Sequence, residues 1–160
     1  MCKKRNFGFT LIELLVVISI ISILTIISVS QFNTAKIKAR DTQRKADIDS
    51  VGKALNSYYA DYGKFPEPTM VMWGGEFRDD NPGAEPYYYM RVVPEENNGD
   101  VEYCYLPDAD YGQYLLFGNM EGVGATTGDY SACGESYNFG KAGPNTTIDS
   151  FCDGVICTVN

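Results

Sequence analysis

From Leu14 to Ala35 no side chain carries a charge, and the residue before that run is Glu13. A membrane-spanning helix needs about 20 predominantly apolar residues. This segment therefore commits the chain to one long helix near its N-terminus. The glutamate at its mouth has no place in a simple anchor. A carboxylate at bilayer depth costs roughly 2.5–3.5 kcal/mol on insertion scales, so an acid there is a functional residue by default. The sequence also offers it a partner. If the backbone is cut after Gly8, the new α-amine of Phe9 lies close to the depth of Glu13 on a neighbouring copy. Neutralisation of amine by carboxylate between identical chains would drive ordered stacking.

The stretch Lys3-Lys4-Arg5-Asn6-Phe7-Gly8-Phe9-Thr10-Leu11-Ile12-Glu13-Leu14-Leu15 closely resembles the class III signal of type IV pilins and type II secretion pseudopilins. Basic leader, glycine, phenylalanine, spaced glutamate and apolar helix follow in the family's order, and the resemblance extends over roughly residues 1–66. It implies a prepilin peptidase that cuts between Gly8 and Phe9 and N-methylates Phe9. It implies that Glu13 acts in assembly, and that an assembly ATPase and an inner-membrane platform protein are further partners. The family's helix usually carries a proline in its first half. Here no proline precedes Pro66, with Ser30 near the usual place, so the local unwinding such a proline allows is not expected.

An ordinary secretory signal peptide fits less well, because the apolar run follows the cut and no A-x-A-type site closes it. The basic stub stays cytoplasmic by the positive-inside rule, which sends the C-terminal portion outward. No glycine or proline interrupts residues 9–51, and Ile48, Val51, Leu55, Tyr58 and Tyr62 then recur at helical spacing. Gly63 offers a C-terminal cap and Pro66 blocks continuation. One helix is expected over 9–62, on the order of 80 Å long, with acid-first pairs Asp41–Lys45 and Asp49–Lys53 on its exposed side. Ser19, Ser22, Thr25 and Ser28 recur every third residue. They form either a stripe where helices approach closely or hydroxyls bonded back to the preceding turn.

Beyond Pro66 the texture changes to turn signals at Gly74-Gly75, Asn81-Pro82-Gly83 and Asn97-Asn98-Gly99. Tyr87–Val93 reads as a strand. Val101–Leu106 and Tyr111–Phe117 read as a hairpin around Pro107–Asp110, with short strands near 137–139 and 155–159. Residues 67–86 are the most loop-like, with Trp73 read as a half-buried anchor. The expected fold class is α+β: a long N-terminal helix packed on a small antiparallel sheet. The expected segments are leader 1–8, assembly helix 9–35, amphipathic helix 36–63 and β-rich ectodomain 64–160.

Charge and composition narrow the function. Residues 36–53 hold six bases against three acids, whereas 62–160 hold sixteen acids against four bases. An acidic ectodomain repels nucleic acid, so no nucleic-acid partner is expected, and a DNA-uptake filament is disfavoured. The chain has no histidine, which removes serine–histidine and cysteine–histidine catalysis; no enzymatic activity and no cofactor are expected. Cys2 would leave with the leader. Cys104, Cys133, Cys152 and Cys157 remain, an even set that reads as two disulfides in an exported domain. Three pairings are open, and Cys104–Cys133 with Cys152–Cys157 is favoured. No CxxC spacing points to zinc. Asp108 with Asp110, and Asp149 with Asp153, resemble fragments of a calcium loop. Neither has the glycine and distal glutamate of an EF-hand, and plain acidic turns are the better reading.

The chain is therefore expected to be a structural subunit of a type IV pilus-like or type II secretion pseudopilus filament. Its partners would be identical or homologous subunits and the membrane. It would sit as a single-pass protein of the cytoplasmic membrane with its ectodomain outside, then in an extracellular or periplasmic filament. The competing classes are a signal-anchored receptor or adhesin, and a competence-type DNA-uptake pilin.

Overall fold

A computed structural model of the chain describes residues 9–79, 85–96, 101–122, 124, 126–144, 146–152 and 158–159, with the backbone alone for 27–30, 158 and 159. Its first element is helix α1, Leu11–Tyr62. The helix starts where Thr10 caps it. It ends at Gly63, which adopts φ +68° while its N–H donates to the Tyr59 carbonyl at 2.7 Å. That left-handed step costs glycine nothing, and it satisfies a carbonyl the helix end would leave open.

The chain divides into two units, Met1–Ile37 and Lys38–Asn160. In the first, the described side chains of the apolar run face outward. Leu11 is 82 % exposed and Ile26 75 %. Ser19, Ser22 and Thr25 donate their hydroxyls to the carbonyls of Leu15, Ile18 and Ile21 at 2.7, 2.7 and 2.8 Å. These three hydroxyls bond back to the preceding turn; the Ser28 side chain lies outside the described ones.

In the second unit Ile48, Val51, Leu55 and Tyr58 are buried, each less than 8 % exposed. They pack with Phe65, Tyr103, Tyr105, Tyr114 and Leu116 in one cluster. Tyr62, placed on the same apolar face by spacing, instead stays 43 % exposed and donates its hydroxyl to Asp79. Gly52 supplies the close approach on this face: an added Cβ would lie 3.2 Å from the Tyr114 hydroxyl. Where a single sheet was expected, the described residues form three small ones. β1 (Phe77–Asp79) pairs with β2 (Tyr87–Met90); β3 (Cys104–Pro107), β4 (Tyr114–Gly118) and β7 (Phe139–Ala142) run in the order β3-β4-β7; β6 (Glu135–Tyr137), β5 (Tyr130–Ala132) and β8 (Thr158–Val159) run in the order β6-β5-β8. Every pairing is antiparallel.

Strand β4 is buried along its whole length. Its side chains alternate by the pleat: Tyr114 and Leu116 join the helix cluster, while Leu115 and Phe117 join a second one with Cys104, Tyr130, Ala132 and Tyr137. The β5–β6 hairpin thus covers the sheet face that α1 does not. Its two-residue turn, Cys133-Gly134, takes positive φ at both positions, the type I′ pattern that matches strand twist. A disulfide joins Cys133 to Cys104. Cys152 is also disulfide-bonded, and Cys157, its favoured partner, lies outside the described residues. Trp73 is half-buried and meets Tyr103 edge-on at 5.5 Å.

Candidate functional site: the helix mouth and its clasp

Phe9 is 85 % exposed, and Gly8 lies outside the described residues. One turn further on, the Glu13 carboxylate is held by its own chain. Its Oε2 accepts the Thr10 backbone N–H at 2.9 Å and the Thr10 hydroxyl at 2.8 Å, while the Glu13 N–H donates to Thr10 Oγ1 at 3.4 Å. This is a capping box. The N-cap side chain and the third helical residue each satisfy a backbone N–H that the helix start would otherwise leave open. The charge of Glu13 alone does not reveal this role, although the sequence signal for it (threonine, two residues, glutamate, then an apolar run) is legible.

A carboxylate offers about four acceptor sites on two oxygens, and the described bonds of the Glu13 carboxylate all fall on Oε2. Thr10 fixes where the acid points, with Oε1 taking no bond among the described residues. Glu13, Thr10 and Phe9 thus form one constellation at the start of a helix whose apolar surface demands lipid or partner helices.

The second constellation was not foreseen. Asp41, read from sequence as a surface partner of Lys45, is 5 % exposed, and Arg44 is 3 % exposed. The two Asp41 oxygens accept the backbone N–H groups of Glu121 and Gly122, both at 2.8 Å. Arg44 grips Glu96 with two prongs, at 2.7 and 3.3 Å. It also reaches Glu121 at 2.8 Å and Asp41 at 3.4 Å. Arg40 closes the cluster with an ion pair to Glu121. The hydrogen bond from Arg40, and then contact with Arg44, hold the Glu121 carboxyl at about 2, below its ordinary 4.5. Two loops, at Glu96 and at 120–122, are clasped to the first turns of the helix in the second unit.

The second predicted surface pair also takes other partners: Asp49 pairs with Lys141 rather than Lys53, and the Lys45 ammonium sits 5.1 Å over the Phe139 ring. Asp108 is an acidic turn residue; its Oδ1 accepts Gly112 N–H at 2.7 Å and Gln113 N–H at 3.1 Å. Asp149 is exposed in the short helix α2 (Ile148–Phe151), and Asp153 lies outside the described residues. Among the described residues no group of three or more acids, cysteines or histidines could hold a metal.

Comparison with known proteins points the same way as the helix mouth. Residues 3–29 match the family model of the prokaryotic N-terminal methylation motif. Over 141 residues the chain is 28% identical to the type II secretion system core protein G of Aeromonas hydrophila, covering 81% of this chain and 93% of that protein. No solved structure matches the chain.

Proposed function

We propose that this pilin-like chain is a structural subunit of a type IV pilus-like or type II secretion pseudopilus filament, polymerised through its N-terminal helix. The observation that carries the reading is the helix mouth. A capped, oriented glutamate opens an exposed apolar helix inside a methylation motif. The Aeromonas relative, a type II secretion core protein covered over most of its length, favours the pseudopilus.

In this reading hydrolysis of the Gly8–Phe9 bond by a prepilin peptidase releases the Phe9 amine, which is then methylated. The subunit waits in the cytoplasmic membrane with α1 across the bilayer and the ectodomain outside. As it leaves the bilayer, Glu13 Oε1 meets the Phe9 ammonium of an adjacent subunit. Desolvation makes that pairing strong, because the alternative is a lone charge in hydrocarbon. An assembly ATPase and a membrane platform protein drive the step. The chain itself performs no catalysis and is the peptidase's substrate.

The capping box could mimic an assembly role, since any helix benefits from it. Glutamine separates the two. Glu13→Gln preserves the box, which accepts either Glu or Gln, but carries no charge. The variant should insert in the membrane as the wild type does and form no filaments in electron micrographs of sheared cells. Wild-type filament numbers from Glu13→Gln would reduce Glu13 to a helix cap.

A further inference from the structure

We propose that the groove beside Trp73 seats Lys38 of a second copy of this chain, between the carboxylates of Glu102 and Glu135; this rests on the filament reading. The groove has a volume of about 480 Å³, with Trp73, Tyr103 and Tyr137 among its walls. Glu102 and Glu135 are its charged residues, and no base lines it. Both are exposed, and neither carboxylate takes an ion pair among the described residues. They act on one ring: burial first, and then the charges of Glu135 and Glu102, push the Tyr137 hydroxyl up to about 12. That hydroxyl donates to the Glu102 carbonyl at 3.0 Å. A slot of mixed polar and apolar walls, with acids and no base, suits a long aliphatic stem ending in an ammonium.

The complementary cation is on the same chain. The basic stretch 36–45 is where this acidic protein concentrates positive charge, and most of it is committed. Lys36 lies over the Phe32 ring, Arg40 pairs with Glu121, Arg44 is buried in the clasp, and Lys45 lies over Phe139. Lys38 is exposed, takes no ion pair among the described residues, and does not line the groove of its own copy. The groove therefore waits for a cation and the stretch for an anion, and a neighbour supplies each. Opposed charges at such a contact set register between copies more than gross affinity.

The test uses filaments assembled from equal amounts of ¹⁴N- and ¹⁵N-labelled full chain. A water-soluble carbodiimide joins touching amine and carboxylate by loss of water. Mass spectrometry should find Lys38 coupled to Glu102 or Glu135 in mixed-isotope pairs. Independently, Lys38→Glu should lower the polymerised fraction about tenfold, and combining it with Glu102→Lys and Glu135→Lys should restore it. The proposal is overturned if Lys38 couples elsewhere, if the groove carboxylates couple to another protein, or if the charge swap restores nothing while wild-type filaments form. Absence of wild-type filaments removes the filament reading and this contact together.

Discussion

Replacing Arg44 by methionine tests how the ectodomain is held to its helix. The arginine is 3 % exposed and pairs with Glu96, Glu121 and Asp41. Methionine keeps the apolar stem and removes the charge. Of the three acids, Glu121 keeps Arg40 and is 30 % exposed, so water and a second cation compensate it. Asp41 keeps two backbone donors. Glu96, whose side chain is 6 % exposed, loses a two-pronged charged partner. Breaking a buried pair from one side costs about 3–5 kcal/mol. With Glu121 and Asp41 keeping other donors, the lower end applies, about 3 kcal/mol. Arg44→Lys restores charge without the two-pronged geometry and should recover part of the loss. The assay is chemical unfolding of the full chain in detergent, followed by near-UV circular dichroism and read as a shift in midpoint at constant slope. A loss under about 1 kcal/mol for Arg44→Met, the range of a surface pair, would refute the argument that this cluster is a buried clasp.

Acid should weaken the same clasp. The folded Glu121 carboxyl titrates at about 2 against an ordinary 4.5. Its contribution is therefore present above about 4.5 and lost as pH falls from there towards 2, and the wild type should lose more stability over that window than Glu121→Gln does. Removing the Cys104–Cys133 bridge, which closes a separation of 29 residues, by a double alanine substitution should lower stability by about 3 kcal/mol, measured by the same unfolding curves. Asp108→Ala withdraws the acceptor from Gly112 and Gln113; the β3–β4 turn should lose about 1–2 kcal/mol and exchange its amide hydrogens faster, with no dependence on added calcium. Gly8→Ala should block processing, so that mass spectrometry finds the full-length chain; a mature chain starting at Phe9 from that variant would move the cut.

Local signals carried the helix well. A charge-free run, a helical apolar spacing and a glycine stop placed it over 9–62, and α1 spans Leu11–Tyr62. The hairpin expected around Pro107–Asp110 was legible because Asp108 and its neighbours are turn formers, but the turn runs on to residue 113 and β4 begins at Tyr114 rather than Tyr111. What escaped were contacts whose partners are far along the chain. Asp41 looked like one half of an i,i+4 pair because Lys45 is visible four residues away. The backbone groups it binds lie 80 and 81 residues on. Asp49 reached past Lys53 to Lys141 for the same reason. Strand β5 and its hairpin escaped because Cys133-Gly134 is not among the usual turn dipeptides; the disulfide at Cys133 adds a constraint that propensity does not record. The capping box, by contrast, is local: Thr10 and Glu13 stand three residues apart, and the pattern is readable without any distant partner.

In the proposed function this polypeptide, cut at one bond, builds a fibre through Glu13. The most direct measurement is the intact mass of the subunit in purified, sheared filaments. The account predicts a chain beginning at Phe9, with one methyl group on its amine. Filaments lacking this chain, or containing it with Lys3-Lys4-Arg5 still attached, would contradict it.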